Sequence, residues 1–215
     1  MIPLRPGRFA ILLLSALALL VLLALLPGPA FAHKPVLEDR DASFASPINV
    51  PDPSVSWAFY GFLDTKDNVD YYYLDITEPL NLYTNILVPV EDVYQSFRPS
   101  YAIIGPGLNA SDPGPFTVPV GSGSLAIDMP ADCPQFYEPF GGINYWQSPA
   151  NYTMLRQPGR YYLAVFDREG LRGDYVLAVG ERESFGLFDL PWVLWNTIRI
   201  RLGFWDHGAL VRAGR

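Results

Sequence analysis

Asp64-Thr65-Lys66-Asp67-Asn68-Val69-Asp70 gathers three carboxylates and an amide within seven residues, the oxygen-rich composition that a hard cation such as Ca²⁺ accepts as ligands. The spacing is not that of an EF-hand loop, which needs a turn glycine and a distal bidentate Glu. The same residues suit an ordinary Asx-type turn with its carboxylates in solvent. Two expectations stand side by side: no cofactor at all, or calcium held by Asp64, Asp67 and Asp70.

A second candidate is Pro130 to Ala150, PADCPQFYEPFGGINYWQSPA, where Phe136, Tyr137, Phe140, Tyr145 and Trp146 are spaced by Pro and Gly with Asp132 and Glu138 among them. Aromatic faces beside carboxylates can stack on sugar rings or hold a cationic or peptide ligand. Packing over an open end of the fold would use the same rings. The composition predicts an irregular loop, and long loops on a rigid scaffold are where recognition concentrates. A ligand site at Phe136, Tyr137, Glu138, Phe140, Tyr145 and Trp146 is the expectation, for an extracellular polymer or a protein partner.

Nucleophilic catalysis has little to work with. Ser122 in VGSGSLA is not in a G-x-S-x-G elbow, and only His33 and His207 could serve as an imidazole base. Cys133, the one cysteine, has no histidine near it in sequence and reads as a half-buried structural thiol. Asp132 and Glu138 could in principle do acid/base work on an extracellular polymer, but no spacing rule selects them. The chain therefore reads as non-catalytic, with an enzyme as an alternative.

The elements that must position these residues are short. Trp57–Leu63, Tyr71–Ile76, Leu80–Val88, Tyr101–Ile104, Gly121–Met129, Tyr161–Phe166 and Tyr175–Val179 alternate apolar and polar positions between Gly, Pro, Asn and Asp turns. Their enrichment in aromatic and β-branched residues, with no long helical period before residue 187, predicts an all-β, antiparallel, jelly-roll-like β-sandwich over residues 56–183. Tyr161, Leu163 and Val165 share a parity with Tyr175, Leu177 and Val179, so this pair should line the inner wall around a solvated turn, Asp167–Gly173. A proline-spaced leader, residues 33–55, suits an extended segment or a first edge strand.

Residues 1–32 have the form of a targeting segment. Arg5 and Arg8 precede an apolar run from Phe9 to Leu26, and Pro27-Gly28-Pro29 then leads into Ala30-Phe31-Ala32, an A-x-A cleavage pattern. Cleavage would leave a chain starting at His33. The 18-residue run is also near the lower limit of a spanning anchor helix. Either way the domain is expected outside the cytoplasm, secreted or attached to the outer face of the cytoplasmic membrane.

Charge is distributed unevenly. The net charge of −7 becomes −9 without Arg5 and Arg8, and Arg199, Arg201, Arg212 and Arg215 against Asp206 set residues 190–215 at +3. The body between holds about −12, which repels phosphate backbones and argues against a nucleic-acid partner. Residues 187–206 include LPWVLWNTIRIRLGFW after Asp189, with Leu194, Trp195, Ile198, Leu202 and Trp205 on one helical face and a basic tail, 207–215, beyond. Such a helix docks on the domain through that face, or lies on a membrane surface with Trp192, Trp195 and Trp205 as contacts.

YGFLDTKDNVDYYYLDI (Tyr60–Ile76), RPSYAIIGPG (Arg98–Gly107) and GRYYLAVFDREGLRGDYVLAV (Gly159–Val179) together resemble the bacterial pre-peptidase C-terminal-like domains. The first is similar to their opening strand, Asp-rich turn and Asp-aromatic-Tyr strand, the second to a middle strand ending in a glycine turn, the third to the closing hairpin. The resemblance covers roughly residues 56–180, and Pro130–Ala150 has no place in it. It implies a jelly-roll-like sandwich that is not itself catalytic, an accessory module of exported proteins often found beside a peptidase, some of whose relatives bind calcium. The functional expectation is an exported binding or surface-associated module, or else a membrane-tethered extracytoplasmic subunit of a larger complex.

Overall fold

A computed structural model describes residues 33–65, 68–109, 111–184, 186 and 189–214, together with Ser15. Apart from Ser15, the targeting segment lies outside the described residues, as does Asp67 of the calcium expectation. The compact unit that begins at Ala32 holds both sheets, and no described helix is long and apolar enough to cross a membrane.

Twelve strands form in order: β1 (Lys34–Leu37), β2 (Ile48–Asn49), β3 (Trp57–Leu63), β4 (Asp70–Ile76), β5 (Leu80–Pro89), β6 (Ser100–Gly105), β7 (Gly123–Ile127), β8 (Gln135–Glu138), β9 (Ile143–Gln147), β10 (Asn151–Leu155), β11 (Gly159–Phe166) and β12 (Gly173–Val179). They build an all-β sandwich. One sheet runs β1-β3-β12-β5-β9-β8, with β10 pairing the first half of β5; the other runs β2-β4-β11-β6-β7. Pairing is antiparallel except at two edges, where β1 lies parallel to β3 and β2 parallel to β4. The leader thus supplies one edge strand to each sheet.

Period-two alternation puts Phe59, Leu63, Leu82, Ile86 and Leu177 of the first sheet against Leu74, Tyr101, Ile103, Leu163 and Val165 of the second. Each fully buried leucine of this set contributes roughly 1.5–3 kcal/mol. The outer faces are covered as well. Tyr60, Val176 and Ala178 meet Ile200 and Trp205 outside the first sheet, and Tyr71, Ala164 and Phe166 meet Phe116 outside the second. β12 is consequently buried at every residue, which its alternating sequence did not announce.

The expected turn Asp167–Gly173 is less solvated than its charge suggested. Asp167 is buried and its Oδ1 accepts the backbone N–H groups of Glu169 and Leu171 at 2.9 and 2.8 Å, holding the turn in which Gly170 takes φ +69°.

Two helices follow the sandwich, α1 (Leu190–Arg201) and α2 (Gly208–Ala213), the latter within the expected basic tail. α1 docks on the domain, but not through its predicted face. Val193, Asn196, Thr197 and Ile200 turn inward, while Leu194, Trp195, Ile198 and Leu202 are 62, 61, 42 and 67 % exposed. The reason is local. The surface beneath is the edge strand β1, which offers a carbonyl: Asn196 Nδ2 donates to Pro35 O at 3.3 Å, while Thr197 Oγ1 is satisfied within the helix by donating to Val193 O at 2.7 Å. The helix then ends at Gly203, φ +73°, and the chain bends so that Trp205 returns to the domain and is buried against Tyr60. Trp205 is therefore not a membrane contact.

Candidate functional site

The sheet topology brings two crossings together. The chain leaves β1 in one sheet for β2 in the other, and leaves β3 for β4, which pair with those two strands in parallel. Glu38 and Asp41 lie on the first crossing; Asp64 and Asn68 lie on the second, with Asp70 at its end. All five carry polar side chains to one end of the sandwich, where Glu38, Asp41, Asp64 and Asn68 line a cleft of about 240 Å³.

Glu38 is built into this cleft rather than attached to it. Its carboxylate accepts the backbone N–H of Ala42 at 3.1 Å and of Phe62 at 3.2 Å, tying the leader to β3. Burial pushes it up to about 7; the two backbone bonds oppose the rise, and Asp41 and Asp64 add to it. Asp70 is fully buried beneath. Its Oδ2 accepts the Tyr175 hydroxyl at 2.7 Å, and Tyr175 in turn meets the Tyr72 hydroxyl at 2.8 Å. Its Oδ1 is buried without a partner. Burial, then the charge of Glu38, lifts Asp70 to about 8, against the opposing bond from Tyr175. Gly61, the cross-strand partner of Tyr175, leaves room for that hydroxyl, which a Cβ there would strike.

Aromatic rings form the other wall. Trp205 meets Tyr60 edge-on at 5.0 Å, and His207 stacks on Phe62 at 4.2 Å with 16° between the planes. Phe204 lines the same cleft. His207 is held from behind: its Nδ1 and its backbone N–H both lie 2.7 Å from the carboxylate of Asp174, which also accepts the Tyr94 hydroxyl. Nδ1–H donates to the Asp174 carboxylate, and this bond raises the His207 imidazole above its ordinary value. Asp174 itself is raised by burial, with His207 and Tyr94 opposing.

Three carboxyl groups, Glu38, Asp41 and Asp64, line the cleft with the guanidinium groups of Arg40 and Arg199, and Arg40 is held by hydrogen bonds to Ser46 and the Pro47 carbonyl. Among the described residues none of Glu38, Asp41, Asp64 or Asp70 forms an ion pair. Nor, among the described residues, do three His, Cys, Asp or Glu side chains converge as a metal-binding group. Asp64 is exposed and Asp70 is buried behind Glu38, so the Asp64/Asp70 part of the calcium expectation is not brought together as a ligand set, and no metal step is derived from it. Within the acidic turn Asp64 is exposed, as the sequence suggests, while Asp70 is closed off from water.

The expected aromatic loop is not an irregular loop. β8 and β9 form a hairpin at the sheet edge, with Phe136 paired to Tyr145 and Gln135 to Trp146. Tyr145 is buried, Trp146 is half-buried under the Arg98 guanidinium at 4.5 Å, and only Phe136 and Tyr137 are well exposed, at 40 and 58 %. Glu138 spends both oxygens on the N–H groups of Phe140 and Gly141 in its own turn. Arg201 then fastens that turn to α1 through the carbonyls of Phe140 and Pro139 at 2.8 and 3.1 Å. The six residues do not line one cleft, and no paired carboxylate sits there, because Asp132 is exposed and Glu138 is consumed. Cys133 is buried, with its thiol raised by burial and directed at Pro130 O at 3.0 Å.

The membrane-contact residues divide: Trp192 and Trp195 are exposed on α1, at 40 and 61 %, while Trp205 is not. The residues that sequence reasoning missed are Glu38, Tyr175, Asp174 and His207. A charged residue ending the apolar stretch PVLE in a proline-bounded leader was the one available signal for Glu38; for Tyr175 there was none, since it fits the inward parity of the wall.

No known protein family matches the chain, and a search of curated proteins returns no match.

Proposed function

We propose that this chain is an exported, non-catalytic β-sandwich of the pre-peptidase C-terminal-like kind, acting as a binding module, and that its ligand presents a cationic organic group to the cleft at Glu38. The observation that supports this most is the three carboxylates that line the cleft, Glu38, Asp41 and Asp64, none in an ion pair among the described residues, beside the rings of Tyr60, Phe62 and Trp205, with Asp70 buried beneath. Glu38 and Asp70, raised by burial and by neighbouring carboxylates, are stabilised as anions when a cation enters. Rings beside them favour an ammonium or guanidinium group over a bare metal ion. A lysine or arginine side chain of a peptide, or a small amine, has this chemistry and fits the volume.

Titration of the protein with n-butylamine and with a lysine tripeptide, followed by Trp205 fluorescence and calorimetry, tests the reading. Saturable binding at pH 9 that weakens about tenfold at pH 5, and is lost in Glu38→Gln, is the expected result. Absence of saturation at pH 9, or saturation by millimolar calcium and not by either amine, would sink it.

A further inference from the structure

α1 carries a second feature, an outward apolar face that meets the cleft only at its end, through Arg199 and Phe204. With Val193, Asn196, Thr197 and Ile200 turned into the domain, Leu194, Trp195, Ile198 and Leu202 form one outward row at i, i+1, i+4 and i+8, and Phe204 extends it at 68 % exposure. Leaving five large apolar side chains in water is unfavourable at roughly 25 cal/mol per Å² of exposed area, and contiguous patches of this kind mark interaction surfaces. We infer that the outer face of α1 inserts at the lipid–water interface of an anionic membrane.

Three observations select a membrane surface over other occupants. The face combines Trp192 and Trp195 with aliphatic residues and is bordered by Arg199, the composition of helices that lie in the headgroup region, where aromatic rings sit at the interface and guanidinium groups meet phosphates. Residues 190–215 carry +3 against about −12 for the body, so the excess basic charge that an anionic surface can attract lies in the segment that contains this helix. Finally, the described chain starts beside this helix. Lys34 Nζ bonds Asp189 Oδ2 at 2.7 Å and Asn196 holds Pro35, so β1 is tied to α1. In the sequence the apolar run Phe9–Leu26 ends eight residues before Lys34.

The test uses residues 33–215, which contain both sheets and the whole core, so that the apolar run cannot supply the binding. The probes are vesicles of phosphatidylcholine alone and with about one third phosphatidylglycerol. The expected result is sedimentation with the anionic vesicles, quenching of tryptophan fluorescence by brominated lipid, and a loss of bound fraction of at least about tenfold in Trp195→Glu/Ile198→Glu at an unchanged thermal midpoint. Tyr137→Glu, on the exposed β8 surface, should bind as the parent does, and Arg199→Gln should lose about fivefold on anionic vesicles only. Failure of the parent to bind either vesicle would overturn the inference. So would a concentration-dependent dimer abolished by Trp195→Glu/Ile198→Glu, because the face would then belong to a second copy.

Discussion

Two hairpins, β11–β12 and β8–β9, exchange the parts their sequences suggest. The first, Gly159–Val179, reads as wall, with Tyr161, Leu163, Val165, Tyr175, Leu177 and Val179 alternating toward the core, and all six are fully buried. Yet the same strand β12 sends the Tyr175 hydroxyl to Asp70 on one face and the Asp174 carboxylate to Tyr94 and His207 on the other, so it braces the floor and back of the cleft. The second hairpin reads as a ligand loop, and its Tyr145, Trp146 and Glu138 are taken up by packing and by its own turn. A tyrosine at an inward position of a buried strand can do more than fill space, because its polar end must find a partner inside. An aromatic-rich hairpin at a sheet edge can do less, because its rings first have to bury their own strands.

The sharpest separation between the two is expected from truncation. Leu177→Ala, at a fully buried position, should lower unfolding stability by about 2–5 kcal/mol, whereas Tyr137→Ala on β8 should stay within about 0.5 kcal/mol. Denaturant melts of both variants check this, and comparable losses would erase the distinction. A smaller effect should come from Tyr175→Phe. It removes the one hydrogen bond of the Asp70 carboxyl, whose other oxygen is already without a partner, at a cost of about 1–3 kcal/mol, while Leu163 and Leu177 remain packed.

The pH dependence of stability should come next. Glu38 and Asp70 are raised in the folded chain, to about 7 and about 8, so between pH about 4 and 8 the folded state binds more protons than the unfolded state. Stability from this pair is present at low pH and declines as pH rises through that window, the reverse of an ordinary ion-paired carboxylate. His207, raised by Asp174, adds stability below its unfolded value that is lost as pH rises through the folded one. Asp70→Asn, which replaces a neutral acid by a neutral amide, should flatten the alkaline decline by several degrees of melting temperature. An unchanged pH profile in this variant would show that Asp70 is ionised throughout. The smallest effect is expected at Arg201→Ala, which releases the β8–β9 turn from α1 at about 1 kcal/mol or less and leaves the cleft intact.

Much of the sandwich was legible because inward and outward residues alternate: all seven expected strand segments are strands, with ends within a few residues. β10 also alternates, Thr153 and Leu155 inward against Tyr152 and Met154, but five residues between Pro149 and Pro158 are too few to stand out. β8 and β9 were hidden by the Pro and Gly of their shared turn. The face of α1 was misread because an amphipathic pattern shows which side is apolar and not which side is covered; Asn196 points inward to a β1 carbonyl, and Thr197 can be buried beside it because its hydroxyl is satisfied by Val193 O of the helix itself. The cleft was the least legible part. Asp64 and Asp70 were visible as an acidic turn, but Glu38 and Asp174 reach the same end of the molecule from 26 residues before Asp64 and 104 after Asp70 in the chain, Glu38 through the paired crossings and Asp174 through the pairing of β12 with β3.

The account rests on the carboxyls of Glu38 and Asp70 being held near neutrality until a cation arrives. Carboxyl-carbon NMR titration of the protein, free and saturated with n-butylamine, measures this directly. The predicted result is two carboxyls titrating near 7 and 8 in the free protein, absent in Glu38→Gln and Asp70→Asn respectively, and both moving downward when the amine is bound. Two carboxyls titrating in the ordinary range near 4, with no response to the amine, would contradict it.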